Sequence, residues 1–417
     1  MQSTPKGLRL QIGLFGRRNT GKSSLLNALT RQEVSIVSDV AGTTTDPVEK
    51  AMELQPIGPV LFVDTAGIDD IGALGQLRME KTRQVLGRID LGILVSDAWT
   101  DYESQLTRYF QERQIPCVVV ANKRDIRPDL QLEASARAAG CRCVITASIK
   151  CHEGIDATRH ALIRLTPDSF LNAPSLIGDL VPAGELVVLV VPIDIEAPKG
   201  RLILPQVQTL RDILDNDAYS LVVKERELSD ALGRLNRPPA LVVTDSQEFL
   251  KVAADVPPAI PLTSFSILFA RFKGDLAAMV RGAKAIDTLK SGDRVLVAEA
   301  CTHHPTGEDI GRVKIPRWLE QYVGGPLRID VMAGDRYPED ITPYRLIIHC
   351  GACMWNRRQM LTRLEEARAA GVPLTNYGLT IAYSLGIFER ALTPFPYARD
   401  LYRQVTQRPL APPTSAT

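Results

Sequence analysis

Eight residues near the start of the chain constrain its fold more than any others. Gly16-Arg17-Arg18-Asn19-Thr20-Gly21-Lys22-Ser23 fits the pattern G-x-x-x-x-G-K-S/T. The run follows a strand-like segment, Leu8–Phe15, and opens a helical one, Lys22–Leu29. That context makes it a P-loop, whose glycines let backbone N–H groups wrap a phosphate chain. The helix N-terminus adds partial positive charge. Lys22 is placed to reach the β- and γ-phosphates. Ser23, with Ser24 beside it, is placed to ligate Mg²⁺. A P-loop commits the first part of the chain to an α/β fold with a mostly parallel sheet.

The next 150 residues keep to that plan. Strand-like runs at Val60–Asp64, Leu91–Ser96, Cys117–Ala121 and Cys143–Thr146 alternate with helical patterns at Leu77–Gly87, Tyr102–Arg113 and Leu130–Ala139. Such alternation implies βαβ units. Asp64-Thr65-Ala66-Gly67 ends one strand: Asp64 would hold the Mg²⁺ shell and the Gly67 N–H would meet the γ-phosphate. Asn122-Lys123-Arg124-Asp125 ends another. The Asp125 carboxylate can accept from both N–H donors of guanine, whereas adenine would leave that acceptor unpaired. Asn122 can bond the other edge of guanine, and Lys123 can pack on the ring and loop. These motifs, in this order and each at a strand end, select GTP over ATP. Within Gly42-Thr43-Thr44-Thr45-Asp46, Thr44 is the expected Mg²⁺-sensing hydroxyl. Ser148-Ile149-Lys150 occupies the place of a Ser-Ala-Lys guanine loop, with Ile149 instead of alanine.

A chain of 417 residues exceeds one core, since single cores stop growing at roughly 250–300 residues. Three domains are expected: residues 1–170 for the nucleotide, 171–264, and 265–417. The Pro-, Ser-, Asn- and Gly-rich stretch Thr166–Gly184 reads as a linker. The middle domain shows strands at Leu186–Ile193, Ser220–Val223 and Ala240–Thr244 and helices at Gln206–Leu214 and Arg226–Leu235. It carries no catalytic constellation and reads as a structural or dimerisation module. The last domain shows helices around Phe269–Leu289 and Arg357–Ala370, and strands at Arg294–Ala298 and Leu346–His349.

Composition excludes several functions. The 49 basic and 48 acidic side chains leave a formal charge of +1, so no global field draws in nucleic acid or an anionic membrane. No apolar run approaches the roughly 20 residues that cross a bilayer, and MQSTPKGLRL lacks a secretory core. The expectation is a soluble cytoplasmic protein with neither nucleic-acid nor membrane partners. In a reducing compartment, clustered cysteines are metal ligands sooner than disulfides.

Such a cluster exists. Cys301-Thr302-His303-His304 and His349-Cys350-Gly351-Ala352-Cys353 together hold three of the seven cysteines and three of the five histidines. Each segment follows an expected strand, and the second also opens a helix, whose N-terminus favours thiolates. The spacing suits a structural zinc with three thiolates and one imidazole. It suits equally an iron–sulfur cluster on Cys301, Cys350 and Cys353 with one weaker site. Cys117 and Cys143 lie in strand patterns and read as core, and Cys141-x-Cys143 with Cys151 is a weak metal motif.

On GRRNTGKSS, AGTTTD, DTAG and NKRD, the first domain resembles the bacterial GTPases of tRNA modification and ribosome assembly. The resemblance implies that Asn19 helps bind a K⁺ ion, which would neutralise transition-state charge. Ile68 stands where Ras-like proteins place a catalytic Gln. No acidic residue lies near Gly75 and Gln76, where the tRNA-modifying relative has a catalytic Glu. Slow, K⁺-stimulated hydrolysis, with Lys22, Thr44 and Gly67 as its catalytic groups, is the expectation.

A P-loop GTPase with this middle segment, followed by CTHHP and HCGACM, resembles the [FeFe]-hydrogenase maturation GTPases, the HydF family, over nearly the whole chain. The resemblance implies GTP-binding, dimerisation and cluster-binding domains in a homodimer. It implies a [4Fe-4S] cluster on Cys301, Cys350 and Cys353, with an exchangeable fourth ligand at His303 or Glu308. It also implies that the protein carries a diiron precursor, made with two radical-SAM maturases, to apo-[FeFe]-hydrogenase. Two other classes compete: an RNA- or ribosome-associated GTPase with a structural zinc, and a GTP-driven ligase, for which no substrate-activation motif is present.

Overall fold

Strands covered by apolar side chains on both faces must lie inside the molecule, and that requirement organises the whole chain. The computed structural model describes residues 4–30, 48–65, 82, 84–126, 130–172, 174–193, 202–300, 309–334 and 337–407. The chain forms two compact units, Met1–Ala173 and Pro174–Thr417.

In the first unit, β1 (Leu10–Phe15), β2 (Val48–Leu54), β3 (Gly58–Asp64), β4 (Leu91–Ser96), β5 (Cys117–Ala121) and β6 (Cys143–Thr146) form one sheet in the order β2-β3-β1-β4-β5-β6. All pairs are parallel except β2 with β3. Ile12 sits opposite Phe62 on one side and Leu91 on the other, which fixes the register of the centre. Alternate residues feed two cores. Leu10, Ile12 and Leu14 join one cluster, while Phe15, Val63 and Leu94 join the other, on the opposite face. The strand β2 was not expected: Val-Glu-Lys-Ala-Met-Glu-Leu is half polar and pairs only at the sheet edge.

The second unit holds two four-stranded sheets, each wholly parallel. The first comprises β7 (Leu186–Val190), β8 (Tyr219–Val223), β9 (Leu241–Thr244) and β10 (Leu262–Ser264), ordered β10-β9-β7-β8. The second comprises β11 (Arg294–Glu299), β12 (Arg328–Ala333), β13 (Leu346–His349) and β14 (Leu374–Asn376), ordered β12-β11-β13-β14. One continuous buried cluster runs from Val187 and Val242 of the first sheet to Leu296 and Ile347 of the second. The helix Phe265–Lys273 lies between them and is apolar around most of its circumference. Its Phe265 and Phe269 are both almost wholly buried, each contributing about 1.5–3 kcal/mol.

Three expectations change here. The single helix around Phe269–Leu289 is two helices, Phe265–Lys273 and Leu276–Ala283. The second is capped by Asp275, whose side chain accepts from Ala278 N. The expected linker Thr166–Gly184 is partly core: Leu176, Ile177 and Val181 are buried. The Asp212 carboxylate accepts from the backbone N–H groups of Leu176, Ile177 and Gly178 and fixes that turn. The helix expected to begin after Pro205 starts at Leu204, with Pro205 in its first turn, where a missing N–H costs nothing. Among the described residues no helix is long and apolar enough to cross a membrane.

Candidate nucleotide site and thiol cavity

Parallel sheets place their functional loops at the carboxyl ends of their strands. In the first unit Gly16 follows β1, Asp64 ends β3, Asn122 follows β5 and Ser148 lies just past β6. The P-loop backbone takes positive φ at Gly16 (145°), Asn19 (60°) and Gly21 (103°). A side chain at Gly16 would place its Cβ 2.1 Å from Val95 O, and one at Gly21 2.2 Å from Asn122 Nδ2. Both glycines are therefore required by space as well as by φ. Lys22 is buried, and its Nζ donates to Gly16 O and Arg17 O, each at 2.7 Å. Thr20 Oγ1 donates to Arg17 O at 3.0 Å and steadies the same turn.

The sequence-assigned pairs meet. Ser23 Oγ donates to Asp64 Oδ2 at 2.8 Å, bringing together the two groups assigned to Mg²⁺. Asn122 Nδ2 donates to Thr20 O at 2.8 Å while its Oδ1 accepts from Ile149 N at 3.2 Å, so one side chain ties the phosphate loop to the guanine loop. Ser148 Oγ donates to Asp125 Oδ1 at 2.8 Å, orienting the carboxylate that the sequence assigned to the base. Ile149, the departure from alanine, is buried and lies under Gly21, so it packs the loop through its side chain as well as its N–H. Lys123 has φ 63° and its Nζ donates to Asp97 Oδ2 at 2.8 Å. The sequence reading missed Asp97, which belongs to no motif. Thr44, Gly67, Ile68, Gly75 and Gln76 lie outside the described residues.

In the second unit a cavity of about 210 Å³ opens where strands of both sheets end. Cys350 and Cys353 line one wall, with Gly351 and Ala352 between them. Asp245, Ser246 and Gln247, which follow β9 of the other sheet, line the same cavity with Ile203 and Pro205. None of those five was legible as a site, because they belong to a segment without a motif. Helices begin at this cavity. Phe265–Lys273 is capped by Ser264 Oγ, which accepts from Ile267 N. Tyr377–Ser384 is capped by Asn376 Oδ1, which accepts from Leu379 N. The wide turn Ile310–Lys314 is capped by Asp309 Oδ1, which accepts from Arg312 N. Their N-termini bring partial positive charge to the thiols.

Cys350 Sγ accepts a backbone hydrogen bond from Ala300 N at 3.1 Å. Cys301 is the next residue in the chain after Ala300; it lies outside the described residues, as do His303 and Glu308. Two soft thiols, an N–H aimed at one sulfur and helix N-termini lining the same cavity fit an anionic iron–sulfur group. Glu299 is 3% exposed; its Oε2 accepts from Arg312 Nη2 at 3.1 Å and its Oε1 from Tyr377 OH at 3.4 Å. Burial, with Cys350 and Glu299 nearby, pushes the Tyr377 hydroxyl far up and keeps it protonated. His349 is fully buried against Trp355, and burial pushes its pKa down to about 4, so the ring is neutral. In the first unit, burial raises the Cys117 and Cys141 thiols, which marks them as core cysteines.

Residues 11–123 match the model of the 50S ribosome-binding GTPases. Residues 176–274 match the hydrogen maturase F dimerization domain, and residues 277–394 the hydrogen maturase F tetramerization domain. The last two together span more than half of the chain.

The chain belongs to the hydrogen maturase F (HydF) family.

Within this HydF chain the GTPase region is also similar to proteins of other families. GTPase Der of Wolinella succinogenes is 41% identical over 124 residues, 28% of this chain and 26% of that protein. The tRNA modification GTPase MnmE of Bacillus licheniformis is 36% identical over 155 residues, 36% of this chain and 33% of that protein. The chain thus spans about a third or less of the length of these relatives. A solved structure, that of an Aquifex aeolicus Era variant bound to GDP.AlF4-, is 17% identical. It covers 78% of this chain and 92% of its own, with a TM-score of 0.34.

Proposed function

We propose that this protein is a GTP-binding and GTP-hydrolysing scaffold of [FeFe]-hydrogenase maturation. It binds a [4Fe-4S] cluster and delivers a diiron precursor to apo-[FeFe]-hydrogenase. The observation that carries the reading is the pairing, in one HydF chain, of cross-linked guanine-nucleotide loops with a cavity walled by Cys350 and Cys353.

On the nucleotide side, Gly16, Asn19, Thr20, Gly21 and Ser24 belong to the loop that wraps the phosphates. Lys22 offsets their charge, Ser23, Thr44 and Asp64 serve Mg²⁺, and Gly67 meets the γ-phosphate. Asn122, Lys123, Asp125 and Ser148 hold guanine. Asn19 is exposed at the loop's outer turn, where it is free of the packing that holds its neighbours; there it takes K⁺. On the metal side, Cys301, Cys350 and Cys353 hold three irons, and His303 or Glu308 the fourth. The cluster supplies an iron with a replaceable ligand. Beside it, Ala300 N–H bonds the Cys350 sulfur. The three functional domains, 1–170, 171–264 and 265–417, assemble into a homodimer or a tetramer that serves two radical-SAM maturases.

Anaerobic reconstitution with iron and sulfide, followed by an absorption spectrum and iron and zinc analysis, tests the reading. The expected product is brown, with about four irons per chain. Cys353→Ser is expected to lose the iron and keep GTP turnover. A colourless protein that holds one zinc and refuses iron would overturn the cluster and favour the structural-zinc alternative.

A further inference from the structure

Phosphates and guanine are read by loops that leave different strands, β1 and β5, and something must make them act as one site. Asp97, the first residue after β4, stands between them. Its Oδ1 accepts from Arg17 Nη2 of the phosphate loop at 3.3 Å. Its Oδ2 accepts from Lys123 Nζ of the guanine loop at 2.8 Å. One carboxylate thus serves two cations from two loops. All three side chains are about one-fifth to one-third exposed, so the pairs are only partly screened by solvent.

The arrangement is anchored from below. Arg17 Nε donates to Glu103 Oε1 at 3.0 Å, and Arg17 Nη2 also donates to Ala98 O at 3.2 Å. The Glu103 side chain is fully buried; Ser96 Oγ donates to its Oε1 and Thr100 N to its Oε2. Glu103 therefore fixes Arg17 to the start of the helix Asp101–Glu112, and Arg17 presents Asp97 with one immobile partner. Lys123, the other partner, has φ 63°, a conformation that a non-glycine residue holds only when its surroundings impose it. With its ammonium tethered to Asp97, its alkyl stem is set to lie along the base.

The geometry points to Asp97 as the positioning residue that couples phosphate recognition to guanine recognition. This rests on the guanine-nucleotide reading above. Removing the carboxylate has two consequences. Lys123 loses the anchor that sets its stem, and Arg17 loses the carboxylate it shares with Lys123 while keeping Glu103. A change in the phosphate loop is thereby felt at the base through the Asp97 carboxylate.

A triple-mutant cycle decides it. GDP affinity in Mg²⁺ buffer is measured for Arg17→Ala, Lys123→Ala and their combination, with Asp97 present and again in an Asp97→Ala background. Thermal melts confirm that each variant is folded. With Asp97 present, the loss in the double variant should differ from the product of the single losses by about five- to tenfold. In the Asp97→Ala background the losses should simply multiply. If they multiply in both backgrounds, the coupling role is wrong and Asp97 serves only the loop's fold. If Asp97→Ala does not fold, Asp97→Asn replaces it. Asparagine offers one acceptor oxygen and turns a donor amide toward the other cation, so it retains one partner and must also abolish the coupling. Wild-type protein without measurable GDP affinity would remove the nucleotide reading itself, an outcome distinct from a bound nucleotide with an additive cycle.

Discussion

The nucleotide site and the thiol cavity both sit at the carboxyl ends of parallel strands, yet they are built in opposite ways. The nucleotide loops are cross-linked to each other: Asn122 to Thr20, Ser148 to Asp125, and Ser23 to Asp64. Their geometry is local to one sheet and one set of loops. The thiol cavity instead draws its lining from loops that follow strands of two different sheets, with Lys314 Nζ donating to Gln247 Oε1 at 2.6 Å beside it. The lesson is that a site defined by a substrate's fixed shape is written in contiguous motifs. A cavity lined from two sheets is written in the packing of modules.

Three measurements would break or sharpen that comparison. The largest effect is expected from Asp125→Asn. The amide replaces one acceptor oxygen with a donor, which no longer matches the two N–H donors of guanine but suits the oxygen that xanthine carries there. GTP affinity should fall by about a thousandfold and XTP affinity should rise, with iron content after reconstitution unchanged. Loss of iron in this variant would show that the two sites are not independently built. A smaller effect is expected from exchanging K⁺ for Na⁺. GTP hydrolysis should slow by about tenfold if Asn19 helps hold the ion, because transition-state charge loses a partner. Equal rates in the two salts would reject that role for Asn19. The smallest is expected from Gly311→Ala. Its Cβ would lie 2.1 Å from Tyr377 OH and 3.0 Å from Glu299 Oε1, so the turn must move away from the cavity wall. A destabilisation of about 1–3 kcal/mol in the second unit, with GDP affinity unchanged, is expected from thermal melts with and without GDP. An unchanged melt would mean that the wall is soft and the cavity less defined than its contacts imply.

Much of the first unit was legible because buried parallel strands are continuous apolar runs: β4, β5 and β6 have the expected bounds. Gly16 follows β1, Asp64 ends β3 and Asn122 follows β5, positions that the motif spacing implied. The second unit was harder to read. Strands β10 and β14 are three residues each, too short for any periodicity to register. At β12, Arg-Ile-Asp-Val-Met-Ala lies at a sheet edge, alternates only over its first four residues and is only partly buried. The thiols were visible as a motif, but the rest of the cavity lining was not. Asp245, Ser246 and Gln247 are ordinary loop residues until tertiary packing brings the loops after β9 and β13 to one cavity.

One feature of the core reaches beyond this single molecule. The helix Phe265–Lys273 ends at the seam between the regions that match the dimerization and tetramerization domains, residues 274 and 277. In sequence it belongs to the first, yet Phe269 and its neighbours fill a core that both sheets share. A recombination event or an engineered chimera joined at that seam would carry away a helix that the remaining half still needs. The two modules are therefore expected to be inherited as a pair, with substitutions on the helix and on its far-side neighbours Leu364 and Ile381 arising together.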